Sequence, residues 1–159
     1  MTTDSLHGAL LDRLAASWIT LGVPLGGPTD PTLIDPEALV VMTALHGPRE
    51  PRLYEGAIDW CARSGTLVNG ARLRTVAGEI DGDPGAIERF AALVAGAGGP
   101  RWPVLHGPPI AFETRGKTQT PDLRRAGALA VRLRALFGVA VRADLIAVLA
   151  TMTGAAPSL

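Results

Sequence analysis

The chain has 159 residues, of which 47% are hydrophobic and 19% are charged. This composition excludes intrinsic disorder over most of the chain, and the length is sufficient for one compact domain with a hydrophobic core of its own. Aromatic residues make up only 4%, against 19 glycines and 13 prolines. The core therefore has to be built from alanine, leucine and valine, which suits packed helices better than a β-sandwich.

The net charge of zero conceals an asymmetry between the two parts of the chain. Residues 1–100 carry 7 basic and 12 acidic side chains, a net charge of −5, whereas residues 101–159 carry 8 and 3, a net charge of +5. Such a division is typical of a protein whose basic part meets an anionic partner. The alternative is that the basic and acidic parts pair with each other inside the fold.

Apolar residues at helical spacing predict five helices in residues 1–97,. The first begins near Asp4 or Ser5 and ends before Gly22. The second follows the capping sequence Asp35-Pro36-Glu37 and runs to about His46,. The other three are predicted over roughly 50–64, 69–80 and 85–95, the last after a second Asp-Pro cap at 83–84,.

Residues 98–119 form a connector rich in proline and glycine that crosses the helical body, with a short strand predicted at Pro109–Phe112,. A sixth helix is expected from Thr120 to Phe137 and a seventh from Val141 to Met152,. The sequence thus predicts an all-α fold: about seven helices in an irregular bundle, divided into a helical domain (1–97), the connector (98–119) and a basic helical hairpin (120–159).

No pattern for catalysis or metal binding is evident. The three histidines and Cys61 show no metal-ligand spacing, and no Gly-x-Ser-x-Gly elbow occurs,. Arg115-Gly116-Lys117-Thr118 ends like a phosphate-binding loop, but Ala111 replaces the first glycine and Glu113 lies inside the loop,. We therefore predict a non-enzymatic protein without cofactor or metal.

One cysteine excludes a disulfide within the chain,. The N-terminus lacks the basic and apolar regions of a signal peptide, and no apolar run is long enough to cross a bilayer,. These features predict a cytoplasmic protein with no membrane partner.

Basic residues near the C-terminus are the strongest functional pattern. Aligned arginines and lysines supply sequence-independent affinity for phosphates through counterion release. Several of them are expected on the solvent-facing arc of helix six, with Arg134 at its edge. The alternative is an ordinary solvated face. The predicted nucleic-acid-binding residues are Arg115, Lys117, Arg124, Arg125, Arg132 and Arg134.

Two resemblances point to a regulator. Residues 142–159, with Leu145, Ile146 and Leu149 on the first helix and Pro157-Ser158-Leu159 opening the second, resemble the start of winged-helix transcriptional regulators. The recognition helix and wing do not follow. The first half resembles uncharacterised bacterial helical regions that precede a helix–turn–helix, through four stretches: Trp18…Gly22-Val-Pro-Leu, Ile34-Asp-Pro-Glu-Ala-Leu39, Pro51-Arg-Leu53 and Asp59-Trp60-Cys61. A second helix–turn–helix candidate, residues 53–80, is interpreted as a structural hairpin because this half of the chain is acidic.

Three functions follow as hypotheses. The first is a regulatory or accessory domain of a DNA-binding protein that contacts DNA through its basic C-terminal face. The second is a protein-interaction or dimerisation module, because helix seven is too apolar to lie exposed and a homodimer would cover it. The third is a small-molecule sensor or enzyme with a pocket lined by tryptophans, namely Trp18, Trp60 and Trp102.

Overall fold

The computed structural model describes residues 3–152 and confirms the all-α prediction. Within this range seven α-helices pack together and no strand occurs. Among the described helices, none is both long and apolar enough to cross a membrane. The helices are α1 (Thr3–Thr20), α2 (Pro36–His46), α3 (Pro51–Ser64), α4 (Gly70–Glu79), α5 (Pro84–Gly96), α6 (Leu129–Phe137) and α7 (Val141–Met152).

Side-chain caps fix the beginnings of the central helices. The Asp35 carboxylate accepts hydrogen bonds from the first-turn amides of α2, at 3.1 Å from Glu37 N and 3.2 Å from Ala38 N. Asp83 caps α5 in the same way, with its carboxylate 2.8 Å from Gly85 N. These contacts satisfy amides that have no partner within the helix, and they confirm the two Asp-Pro caps that the sequence predicted.

The core forms around α2, whose apolar face lies between α1, α4 and α5. Trp18 and Trp60 are fully buried and meet edge to face, with their ring centroids 5.4 Å apart. Their indole N–H groups donate to Thr43 Oγ1 and to the Leu21 carbonyl oxygen. Trp102 is also buried. The predicted pocket lined by tryptophans is therefore wrong, because the three rings are core side chains.

The connector crosses the helical body as an extended chain. The prediction of a strand at Pro109–Phe112 is wrong. This stretch lies beside the last turns of α5, where Ile110 N–H donates to the Ala92 carbonyl oxygen at 3.0 Å. The connector also contributes side chains to the same core as α1 to α5, so hydrophobic packing continues through it. The buried ones are Trp102, Val104 and Leu105.

The connector returns to α1 at a glycine that no other residue can replace without strain. Gly22 has a φ of +104°, and a Cβ there would lie 2.7 Å from the Gln119 carbonyl oxygen. Without that atom, Gln119 N–H donates to the Gly22 carbonyl oxygen at 3.0 Å. Gly22 thus ends α1 and also allows the close crossing of two backbone segments.

Helix six is shorter than predicted. It begins at Leu129 instead of Thr120, after a 3₁₀ turn at Ala126–Ala128. The cause is a close backbone contact at Gly127, where a Cβ would lie 2.6 Å from the Asp30 carbonyl oxygen. Because Gly127 also accepts a hydrogen bond from Ile34 N–H, the chain before Leu129 follows the loop after α1 and cannot continue as a helix.

Candidate functional site

The hairpin formed by α6 and α7 packs through an apolar cluster of its own. Its turn contains Gly138, whose φ of +81° suits a residue without a side chain,. The buried side of α7 consists of two alanines, Ala143 and Ala147, which pack against Leu133 and Leu129 of α6. This small cluster is separate from the main core.

The outward side of the hairpin carries much larger apolar side chains. Val141 is 80% exposed and Met152 is 77% exposed. In most surface helices the large apolar residues face inward, whereas α7 turns its alanines inward and its large aliphatic residues outward. The exposed apolar residues of the hairpin are Leu136, Phe137, Val141, Leu145, Ile146, Val148, Leu149 and Met152, which we call the outer face.

A buried guanidinium anchors the hairpin to the helical body. The Arg134 side chain is 2% exposed and forms a bidentate pair with Glu37 of α2, at 2.6 and 3.0 Å. It also donates to Asp144 of α7, at 2.9 and 3.0 Å, and to the Leu67 carbonyl oxygen at 3.0 Å. Every nitrogen of Arg134 therefore has an acceptor, as a buried guanidinium requires.

A second arginine completes this charge cluster. Arg72 of α4 pairs with Asp35, with 2.6 Å between Nη1 and Oδ1, and also with Glu37. Asn69 N–H donates to Glu37 Oε1 at 2.7 Å. Glu37 is fully buried, so its charge is compensated by two guanidinium groups and one amide, and through it α2, α4 and the hairpin are held together.

The ion pairs favour the charged forms of Arg134, Arg72 and Asp35. Burial alone would lower the pKa of Arg134, but the pairs with Glu37 and Asp144 outweigh burial and raise it,. The hydrogen bond to Asp35 raises the pKa of Arg72 as well. Burial would raise the pKa of Asp35, yet its hydrogen bonds, chiefly that from Arg72, lower it. These three groups are therefore charged at neutral pH.

The predicted exposure of Arg134 is therefore wrong. Its Cα lies at the edge of the polar arc of α6, but its side chain turns inward to Glu37, which is 97 residues earlier in the chain. The sequence does not indicate Glu37 as the partner, because a glutamate after Asp35-Pro36 is explained by the favourable interaction of an acid with a helix N-terminus. The available signal was that Glu37 opens an otherwise uncharged apolar helix.

Three more predicted residues surround the beginning of α6 and do not share one helical face. Arg124 and Arg125 lie in the turn before α6. The Arg124 side chain is 89% exposed and 3.2 Å from Asp122, whereas Arg125 donates to the Ile19 carbonyl oxygen at 3.3 Å. Arg132 is on α6 and half-buried. The structure thus disperses the predicted basic arc.

The remaining two predicted residues lie in the connector. The Arg115 guanidinium is 3.2 Å from the Glu55 carboxylate of α3 and stays 70% exposed, and Lys117 is exposed. The adjacent Thr118 is buried, and both its N–H and its hydroxyl donate to Asp59 of α3. A loop that directs these donors at a carboxylate does not form a cradle for phosphate.

This part of the connector borders a cleft against α3 with a volume of about 100 Å³. Burial would raise the pKa of Asp59, but the hydrogen bonds from Thr118 outweigh it and lower the pKa. Three cations and three carboxylates line the cleft, so it does not select one sign of ligand charge. The charged residues that line it are Arg52, Glu55, Asp59, Glu113, Arg115 and Lys117.

Within residues 3–152, no group of three or more histidine, cysteine, aspartate or glutamate side chains is arranged to hold a metal ion. His7 and His46 do meet, with their ring centroids 5.6 Å apart. Cys61 is fully buried, and burial raises the pKa of its thiol well above the usual value, so it lacks the reactivity of a nucleophile.

Comparison of the chain with protein-family models, with curated proteins and with solved structures gave no match. The resemblance to regulators therefore stays a prediction, and its second helix, expected from Pro157-Ser158-Leu159, lies outside the described residues.

Proposed function

We propose that the protein is a protein-interaction module that binds its partner through the outer face of the α6–α7 hairpin. The observation that carries this proposal is the inverted burial of α7. Ala143 and Ala147 are 1% and 4% exposed, whereas Val141 and Leu145 are 80% and 55% exposed. Exposing large aliphatic residues while burying small ones is unfavourable for an isolated domain, and a partner surface would reverse it.

The extent of the outer face supports the same conclusion. Taking roughly 150 Å² per side chain, the lower end of the range for aromatic side chains, the exposed fractions of its eight residues correspond to roughly 700 Å² of apolar surface. The largest apolar patch on a monomeric protein is typically about 300–600 Å², and each partner in a standard interface buries about 800 Å². The outer face is therefore large enough to serve as an interface.

The anchoring of the hairpin supports a surface that is held in place. Arg134 and Asp144 join α6, α7 and α2 through ion pairs, so the orientation of α7 is fixed by charge and not by burial of its large side chains. A preorganised surface loses less conformational entropy on binding than a mobile one.

Replacement of residues on the outer face tests this proposal. The double variant Leu136→Gln/Leu145→Gln should keep the free energy of unfolding within about 0.5 kcal/mol of wild type, because both side chains are more than half exposed. It should also lose the protein partners that the intact chain retains in pull-down from the cells that encode it. A loss of several kcal/mol would instead assign the outer face to the core of this chain and overturn the proposal.

We propose DNA binding by an accessory domain of a regulator as the second candidate. It is supported by the exposed cations Lys117 and Arg124. Duplex-DNA binding measured by fluorescence anisotropy at low salt should weaken in Lys117→Ala/Arg124→Ala, and the slope of log affinity against log salt should fall by about 2. Arg49→Ala, in the acidic half, is the matched control. Absence of binding by the intact chain overturns this candidate.

A further inference from the structure

Resting on the proposed function, we infer that the partner of the outer face is a second copy of this chain, with the two α7 helices packed antiparallel about a two-fold axis. The two outward helices would then cover each other, and the same residues would contribute from both copies. Such an isologous interface is the commonest kind in soluble oligomers.

The first observation is the spacing of the outward residues along α7. Val141, Leu145, Val148 and Met152 follow each other at intervals of four, three and four residues, which places them on one stripe of the helix. Apolar residues at these intervals form the seam of paired helices. All four side chains are at least half exposed, so the seam is open on the surface.

The second observation is that this spacing is the same in both directions. When a second α7 runs antiparallel with its centre at the centre of the stripe, Val141 of one copy faces Met152 of the other. Leu145 likewise faces Val148, so the four residues of each helix meet those of the other at matching levels. A partner with the same surface therefore fits without any change of register.

The third observation is the charge beside the stripe. The charged side chains of α7 are Arg142 and Asp144, and Asp144 is already paired with Arg134. Parallel packing would place two Arg142 side chains side by side, whereas antiparallel packing places them at opposite ends of the interface. Antiparallel packing also aligns the two helix dipoles favourably. The four residues of the stripe are uncharged, so they offer no charge to a partner that binds through ion pairs.

The intact chain can be tested by analytical ultracentrifugation over a range of concentrations. We expect a mass that rises with concentration from 16.5 kDa to twice that value. Leu145→Glu should raise the dissociation constant roughly tenfold or more, with an unchanged far-ultraviolet circular dichroism spectrum. Leu6→Glu is the matched control, because Leu6 is a helical leucine of α1 with a similar exposed fraction, 52% against 55%, and it should leave the mass unchanged.

Cysteine pairing tests the arrangement of the two helices. Under mild oxidation the double variant Val141→Cys/Met152→Cys should form a covalent dimer, whereas Val141→Cys alone should not. Cys61 does not interfere because it is fully buried. Cross-linking of the single variant would show parallel packing and overturn the inferred geometry.

The outcomes separate the inference from the function on which it rests. A chain that stays at 16.5 kDa at every concentration, yet binds another protein that Leu145→Glu releases, overturns the inference and supports the proposed function. If Leu145→Glu unfolds, Val141→Glu is measured, since Val141 is 80% exposed. Unfolding of both variants means that the outer face belongs to the core of this chain, and both proposals fail.

Discussion

Among the six predicted basic residues, replacement of the buried Arg134 should destabilise the protein most. Arg134→Met keeps most of the stem volume of the side chain but deletes five hydrogen bonds, to Glu37, Asp144 and the Leu67 carbonyl oxygen. Breaking a buried ion pair by removing one partner costs about 3–5 kcal/mol, because the other charge remains buried.

The structure places the expected cost near the lower end of that range. Glu37 is fully buried but keeps Arg72 and the Asn69 amide as partners, and Asp144 is 32% exposed and can be hydrated. We therefore expect a loss of about 3 kcal/mol in the free energy of unfolding. Arg132→Met, two residues away on α6 and half-buried, should cost less than about 1 kcal/mol.

Urea unfolding at neutral pH, followed by far-ultraviolet circular dichroism and by the fluorescence of the buried tryptophans, measures both variants. The difference between them should persist at high salt, because a buried pair is screened weakly. A loss below 1 kcal/mol for Arg134→Met, or an equal loss for Arg132→Met, would refute the argument that this guanidinium anchors the hairpin.

Three further predictions concern titratable groups in the body. Asp59→Asn should lower stability by about 1–3 kcal/mol because the bonds from Thr118 lose a charged acceptor. Since the pKa of Asp59 is lowered on folding, this contribution should be present above pH ~4 and be lost as the pH falls through the lower folded-state pKa in acid titration of stability. Burial, followed by the neighbouring His7, lowers the pKa of His46. Unfolded protein then binds more protons, so stability should fall as the pH decreases from ~6.5, and His46→Gln should flatten that slope. The thiol of Cys61, fully buried, should react with a thiol reagent only on unfolding; rapid reaction of native protein would contradict its placement in the core.

The helical part of the fold could be predicted because its determinants are local in sequence. Caps such as Asp35 and Asp83 act on amides two or three residues away, and the apolar spacing of α7 predicted its beginning at Val141. The beginning of α6 could not be predicted this way. It depends on Gly127 packing against the backbone of Asp30, almost a hundred residues earlier.

The difference between local and long-range determinants also explains which features of the hairpin the sequence could predict. A helical wheel places Arg134 in the solvent because it treats every charged residue as exposed. The carboxylate that pairs with the buried Arg134 belongs to Glu37 of α2, which a helical wheel of α6 does not include. The outward face of α7, in contrast, follows from an excess of apolar residues over what one buried stripe can use. The sequence therefore predicted that α7 has more apolar residues than one buried side can hold. The division of α7 into an alanine side and a large aliphatic side is set by its packing against Leu133.

The pairing of Arg134 with Glu37 also changes what the charge asymmetry means. Some of the basic C-terminal side chains are neutralised by the acidic part of the same chain, as are Arg134 by Glu37 and Arg115 by Glu55. This pairing is the alternative that the composition left open, and it weakens the argument from net charge for an anionic partner. It leaves the outer face unaffected, because Asp144 ties α7 to α6 by a charge on one side while the large aliphatic residues project on the other. Those residues stay exposed in the part of the chain that the structure describes, and the proposed partner would bury them.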